Sequence, residues 1–288
     1  MIKKLFTLLL AILLVSCGTT EKSDNTAATI SVSILPQKYF VEQIAGDLFN
    51  INVMIPPGAS PATYEPTPLQ LTSLATTDIY LKIGYTAFEV SWMNKIISVN
   101  ETMKVIDLSE GVDLIMEKTH QHGDHQHGSV DPHIWLSPKN ARIISKNIYT
   151  ALSEAYPEYE SIFIANFKNF CSKLDSLDTY ITGSLGNLEQ VTFFTYHPAL
   201  SYFSRDYGLH QHPMELEGKT PTATHMKELV DIGKSEEVKI IFLQMQFDQH
   251  NAEVLAKEIG AEIIQINPLD PEWDKQMVYI TEKLKSTI

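Results

Sequence analysis

The sequence predicts an α/β protein of two lobes, each with a mostly parallel sheet flanked by helices, joined by one long rigid helix. Short β-rich runs alternate with helical patterns in the first half of the 288-residue chain, and the alternation returns in the second half. Such alternation is typical of βαβ units with parallel strands. One uninterrupted helical pattern lies between the halves. The chain is also longer than the usual single domain, which favours two lobes.

The first lobe is predicted over residues 29–156. A helix is expected to begin at about Pro36 and to stop at Gly46, and two more should occupy Leu69–Ala75 and Phe88–Ile97. The predicted strands are Thr29–Ile34, Asn52–Ile55, Ile79–Ile83 and Val105–Leu108.

The second lobe is predicted over residues 188–288. Its elements are expected to follow in the order strand, helix, strand, helix, strand, helix, strand and closing helix. The ranges are Val191–Thr195, Ala199–Tyr207, Leu209–Met214, Thr224–Gly233, Lys239–Leu243, Asn251–Gly260, Glu262–Ile266 and a helix from Trp273.

The linking helix, predicted over residues 157–187, carries one apolar stripe. Apolar residues recur there at steps of four and three, which places them on one helix face; they are Phe163, Phe167, Phe170, Leu174, Leu177 and Ile181. A helix from Glu158 to about Leu185 spans roughly 40 Å. A coiled coil needs at least three sustained heptads, which this stripe does not cover. Docking of the helix across both lobes is therefore the better explanation.

The N-terminal residues predict export and a lipid anchor. Lys3 and Lys4 precede the apolar run Leu5–Val15, which is shorter than the roughly 20 residues that span a bilayer and is typical of a signal peptide over residues 1–16. The Leu-x-Ser-Cys ending resembles a bacterial lipobox and implies lipidation of Cys17; a secretory signal that merely ends near a cysteine is the alternative. The small polar residues 17–28 predict a tether. We expect a membrane-anchored lipoprotein of the cell envelope that faces the periplasm or exterior.

Charge and cysteine content exclude several classes of protein. The net charge is −13, and loss of Lys3 and Lys4 with the signal peptide makes it more negative, so nucleic acid is not an expected partner. Only Cys171 remains beside Cys17, which excludes an intrachain disulfide in the tethered chain, a thiolate zinc site and a CxxC redox motif. Because HExxH, GxSxG and P-loop motifs do not occur in the sequence, we predict no enzyme activity.

Two histidines each follow a predicted strand, one in each lobe. His133 follows the last strand of the first lobe, and His197 follows the first strand of the second. Ligands of open parallel sheets bind beyond the carboxyl ends of the strands, so the two side chains could meet in a cleft between the lobes. Imidazole suits zinc, copper, nickel and iron. A histidine beside a proline at a strand end is, however, more often a structural or surface residue.

A histidine-rich segment precedes His133. Four imidazoles lie within eight residues, at His120, His122, His125 and His127. This donor density, beside Gly123, indicates an accessory metal-binding loop suited to capture or sensing. The alternative is a surface loop whose histidines bind nothing.

Five segments together resemble the zinc- and manganese-binding solute-binding proteins of ABC importers, which include metal-binding lipoproteins once called adhesins. They are PPGASPATYEPTP at 56–68, DPHIWLSP at 131–138, HPALSYFSRDYGL at 197–209, IFLQMQFDQHNAEVLAKEIGA at 241–261 and INPLD at 266–270. The resemblance covers nearly the whole chain from residue 29. It implies the cluster A-I fold of two α/β lobes on one long helix, and a monomer that captures Zn²⁺, less readily Mn²⁺, for an ABC permease and its ATPase. Zinc-specific members often carry a His-rich loop just before the DPHIWLSP motif.

The resemblance implies metal ligands at His133 and His197, but this sequence departs from the family at two other positions. Ala62 stands where the first motif usually has a histidine, and Asn267 stands where an aspartate is common. Since a tight zinc site uses four donors, two donors remain to be found.

Several residues could replace them. Glu65 could turn inward, although bracing of its own loop is the simpler role; Asn267 could bind through its carbonyl oxygen; and a histidine of the 120–127 loop could fold over the cleft. Glu215 and Glu217 are further candidates for which surface exposure is the default expectation. Two alternative functions stay open, namely a metal-buffering or adhesin-type lipoprotein without a transport role, and a divergent member that has lost the tight metal site.

Overall fold

The structure is a computed structural model that describes residues 27–116, 129–186, 191–216 and 218–286. Cys17, Glu217 and the segment His120–His127 lie outside the described residues. Within those ranges, no helix has the length and apolar character that a membrane span requires.

The first lobe is a parallel four-stranded sheet with helices against it. The strand order is β2-β1-β3-β4, with β1 at Thr29–Val32, β2 at Asn50–Val53, β3 at Ile79–Lys82 and β4 at Lys104–Asp107. The helices are α1 at Leu35–Ala45, α2 at Pro68–Ser73, continued by a 3₁₀ turn at Leu74–Thr76, and α3 at Ala87–Val99. The Thr67 and Thr86 hydroxyls accept the N-terminal amide hydrogens of α2 and α3, which fixes where these helices begin.

The second lobe repeats this arrangement. Its order β6-β5-β7-β8 matches the first sheet position by position, with β5 at Thr192–Thr195, β6 at His210–Pro213, β7 at Ile240–Gln244 and β8 at Glu262–Ile266. The helices are α6 at Ser201–Tyr207, α7 at Ala223–Ser235, α8 at His250–Ile259 and α9 at Trp273–Lys285. The predicted two-lobe α/β fold is therefore confirmed.

The linking helix α5 spans Glu160–Leu185, after a 3₁₀ turn at Pro157–Tyr159. Its apolar stripe is buried except for Phe167, which is half-buried and stacks on Tyr149 at 5.2 Å between ring centroids. A further helix, α4 at Pro138–Ala155, is not among the predicted elements. It packs along α5 together with α1 and α9, so α5 lies against helices from both ends of the chain.

The two lobes are tied together beside the cleft by buried hydrogen bonds. The Trp135 Nε1–H donates to the carbonyl of Pro268 at 2.8 Å, and the Trp273 Nε1–H donates to the carbonyl of Trp135 at 2.7 Å. The Tyr202 hydroxyl donates to the carbonyl of Asp131 at 2.8 Å. These bonds hold the loop after β4 against the second lobe, and the apolar core is continuous through both lobes. The loop that carries His133 is thus fixed by both halves of the protein.

Candidate metal centre

The structure brings His133 and His197 together across the cleft. Their Nε2 atoms are 3.1 Å apart, and the ring centroids are 4.9 Å apart. His197 stands two residues beyond the end of β5, and His133 stands in the loop between β4 and α4. Because this loop is bonded to the second lobe, two histidines separated by 64 residues face each other.

Each imidazole is oriented by a buried carboxylate. Asp131 Oδ1 lies 2.8 Å from His133 Nδ1 and also accepts the His133 backbone N–H at 2.9 Å. Glu215 Oε1 bonds His197 Nδ1 in the same way. A carboxylate at Nδ1 selects the tautomer with its proton on that nitrogen, which leaves the Nε2 lone pair free to bind a metal. Both lone pairs therefore lie on the cavity side.

The carboxyl group of Asp131 stays ionised. Asp131 is only 3% exposed, and burial by itself raises the pKa of a carboxyl group. Electrostatic attraction to the His133 ring and the hydrogen bonds that its side chain and backbone donate outweigh burial, so the pKa of Asp131 is held below its usual value. A stably ionised Asp131 keeps its imidazole in one orientation.

Glu215 is not the surface residue that the sequence led us to expect. It is 5% exposed, because backbone bonds continue the β5–β6 ladder past the ends of the strands. The amide of Met214 donates to Thr195 O at 2.8 Å, and that of Glu215 donates to Tyr196 O at 3.0 Å. This register places Glu215 beside His197. No role was predicted for Asp131 from the sequence, although its position two residues before His133 is a signal that could have found it.

Two more side chains fix His197. The Gln244 side chain donates to the His197 carbonyl at 2.7 Å and accepts its backbone N–H at 3.2 Å. The ring of Phe247 stacks on the imidazole, with centroids 5.6 Å apart and planes inclined by 22°. The backbone and the ring plane of His197 are therefore both held, which is the preorganisation that a binding site needs.

The separation of the two Nε2 atoms suits a shared zinc ion. Two nitrogens at ~2.05 Å from zinc and at a tetrahedral angle lie roughly 3.3 Å apart. The observed 3.1 Å corresponds to an angle of about 100° at the metal. A shift of a few tenths of an ångström would complete the geometry.

The two histidines line a cavity of about 370 Å³ between the lobes. Its other walls come from the proline-rich loop after β2, from the start of α3, and from the loops after β7 and β8. The residues that line these walls include Ala62, Thr63, Trp135, Gln246, Phe247 and Leu269. The cavity is therefore large relative to a single ion and mostly apolar.

Of the other predicted ligands, Glu65 and Asn267 lie in the described residues and do not join the histidines. Glu65 is exposed and does not line the cavity. Asn267 caps its own turn, because its side-chain oxygen accepts the Leu269 N–H at 3.1 Å, and it lines a separate cavity of about 140 Å³ with Pro56 and Pro57. Ala62 does line the histidine cavity, where it contributes a methyl group. The histidines of the 120–127 segment lie outside the described residues.

The described part of the chain supplies two unhindered donors to this centre. Within it, no cluster of three or more His, Cys, Asp or Glu side chains is arranged to hold a metal ion. The structure thus shows a pair of preoriented imidazoles with their supporting carboxylates.

Two similar α/β lobes on a shared helix, with oriented imidazoles in the cleft, define a two-lobe ligand-binding protein. The chain belongs to the family described as ZnuA, zinc-uptake complex component A periplasmic, whose model matches residues 30–285.

Relatives span the same region. The chain is 31% identical over 287 residues to the high-affinity zinc uptake system protein ZnuA of Bacillus subtilis, covering 93% of this chain and 90% of that protein. It is 29% identical over 274 residues to the zinc-binding lipoprotein AdcA of Streptococcus pneumoniae strain R6, covering 91% of this chain. The chain spans about half the length of AdcA, with 54% covered. A crystal structure of ZnuA superposes with a TM-score of 0.83 at 35% identity, over 90% of this chain and 98% of that one.

Proposed function

We propose that this protein is the extracytoplasmic solute-binding component of a metal ABC importer. It captures Zn²⁺, less readily Mn²⁺, in the interlobe cavity and delivers it to the membrane permease and its ATPase. The observation that carries this proposal is the pair of Nε2 atoms 3.1 Å apart, each belonging to an imidazole that a buried carboxylate orients.

The chemistry of the donors favours zinc over manganese. Neutral imidazole nitrogen is a donor that zinc prefers, whereas manganese favours sites rich in carboxylate, carbonyl and water oxygen. The two carboxylates near the centre are engaged on the Nδ1 side of each ring. The names of the matched relatives, a zinc uptake protein and a zinc-binding lipoprotein, agree with this preference.

The finer assignments belong to the same proposal. His133 and His197 bind the metal, and His120, His122, His125 and His127 form an accessory capture loop. Glu65 and Asn267 would have to leave their present positions to act as ligands. Lipidation of Cys17 anchors the monomer to the membrane.

Zinc calorimetry on His133→Ala and His197→Ala proteins tests the proposal. Both variants should lose most of the zinc affinity. His225→Ala is the matched control, because His225 lies on α7, pairs with Glu228 and does not line the cavity. Affinities of the two cavity variants equal to that of the control would place the metal site elsewhere.

A protein lacking residues 120–127 completes the experiment. One zinc bound with unchanged affinity would place the site in the cavity and make the loop accessory. Zinc lost with the loop would make the loop part of the site.

A further inference from the structure

We infer that the metal occupies the cavity as a complex with a small, neutral amino-acid chelator that supplies the remaining donors. This inference rests on the proposed function and specifies its substrate class. It follows from the donors, the size and the charge of the cavity.

The donors within the described ranges leave zinc incompletely coordinated. His133 and His197 supply two nitrogens, while zinc takes four ligands in a tight site. Asp131 and Glu215 cannot add to them while they orient the rings, because each bonds the opposite nitrogen of its imidazole. A metal on Nε2 lies roughly 6–7 Å from an oxygen bonded to Nδ1 of the same ring. With the described donors alone, two coordination positions are therefore left for a ligand in the cavity.

The cavity has the size of a small-molecule site. Its volume of about 370 Å³ falls within the range of ~300–1,000 Å³ that is usual for organic ligands. A water molecule accounts for only ~30 Å³ of liquid volume. A zinc ion with two waters would leave most of this space to further solvent, whereas a chelator of amino-acid size would fill it.

The walls suit a neutral chelator with an apolar or aromatic part. Phe247 and Leu269 present apolar surface, and Thr63 and Gln246 offer uncharged hydrogen-bonding groups. An imidazole or other flat ring can pack against the ring of Phe247.

Charge narrows the choice of chelator. No Lys or Arg occurs among the side chains that form the described cavity wall, and the carboxylates of Asp131 and Glu215 already balance the two charges of Zn²⁺. An anionic chelator such as citrate would bring uncompensated negative charge into a partly desolvated site. Zwitterionic L-histidine avoids that cost when it donates through its imidazole nitrogen and a carboxylate oxygen while its ammonium group keeps its proton, and it is the probe that fits best.

Zinc titrations with and without L-histidine distinguish capture of the bare ion from capture of the complex, because the two predict different apparent zinc affinities when histidine is present. Free histidine binds zinc itself, so it lowers the apparent zinc affinity of a protein that captures the bare ion. A protein that captures the complex should instead bind zinc at least about tenfold more tightly than competition predicts. Radiolabelled L-histidine should be retained at one per protein when zinc is present, and should not be retained without zinc.

Each remaining outcome decides between the proposals. In one outcome, the protein binds one zinc tightly in chelator-free buffer, and added histidine acts as a competitor that removes it. That outcome overturns this inference and leaves the proposed function standing. Zinc bound under neither condition overturns both. The same titrations on a protein lacking residues 120–127, and on Glu217→Gln, should still show zinc-dependent histidine retention. Loss of that retention would assign the missing donors to the protein and overturn the inference.

Discussion

Replacing Glu215 with glutamine should weaken zinc binding although Glu215 is not a metal ligand in our proposal. Its carboxylate accepts the Nδ1–H of His197 and thereby leaves Nε2 unprotonated. A glutamine amide can turn either its oxygen or its NH₂ group toward the ring. When the NH₂ group faces Nδ1, the imidazole must carry its proton on Nε2, the atom that binds zinc.

The size of the effect follows from burial. Loss of a carboxylate that supports a metal-bound histidine costs about 10–100-fold in metal affinity. Glu215 is 5% exposed, so water cannot readily take its place, and a negative charge near Zn²⁺ is lost as well. We therefore expect a loss near 100-fold, which corresponds to about 2.8 kcal/mol of binding free energy.

The assay is a zinc titration against a fluorescent chelator at constant pH. Glu228→Gln is the matched control, because Glu228 also pairs with a histidine, His225, at 3.4 Å, but its side chain is 63% exposed and does not line the cavity. The control should stay within about twofold of the parent affinity, the size of a weak surface effect. Our reasoning fails if Glu215→Gln also stays within that limit while His197→Ala abolishes binding.

Four further predictions follow from other parts of the structure. Ala62→His should place a third imidazole in the cavity and tighten chelator-free zinc binding by about 100-fold, since a ligand contributes roughly 3 kcal/mol in a four-ligand site; unchanged affinity by calorimetry would contradict this. Tyr202→Phe leaves the buried Asp131 carbonyl and Ile115 amide without their shared hydroxyl, and urea unfolding should show a loss of about 1–3 kcal/mol. Burial raises the pKa of Glu89 from 4.5 to about 7, so the folded state binds the Glu89 proton more firmly than the unfolded chain. The free energy of unfolding should therefore fall by up to about 3 kcal/mol as the pH rises between these two values. Unfolding curves of metal-free Glu89→Gln protein should lack this pH dependence. Because the lobes are bonded together, zinc should change the radius of gyration in solution scattering by less than about 1 Å, from an expected ~18 Å, and a larger decrease would indicate hinge closure.

The order of strands and helices could be predicted because it depends on local pattern. The eight strands lie within about two residues of their predicted ranges, as is usual for element boundaries. The helix α4 shows that a local signal can also be missed. Its start has a serine N-cap followed by proline, and Ala141, Ile144 and Ile148 are buried on one face, so the pattern was present in the sequence.

Some features of the candidate site could likewise be predicted from local pattern, and others depended on tertiary contacts. The place of each histidine beyond the carboxyl end of a strand, one in each lobe, predicted that His133 and His197 could meet, because parallel strands present their carboxyl ends at one edge. The burial of Glu215 depends instead on how β6 pairs with β5. The inward or outward direction of Glu65 and Asn267 depends on turns whose hydrogen bonds no periodicity reveals.

The sequence by itself determined the two α/β lobes, the helix between them and the two loops that carry the paired histidines. These features follow from hydrophobic periodicity and from residues that begin and end helices, which act over a few positions. Only the tertiary structure decided which carboxylates orient the imidazoles, that Asn267 caps its own turn and that the cavity measures about 370 Å³. These features arise from contacts between side chains far apart in the chain, and they depend on register, burial and packing density rather than on local pattern.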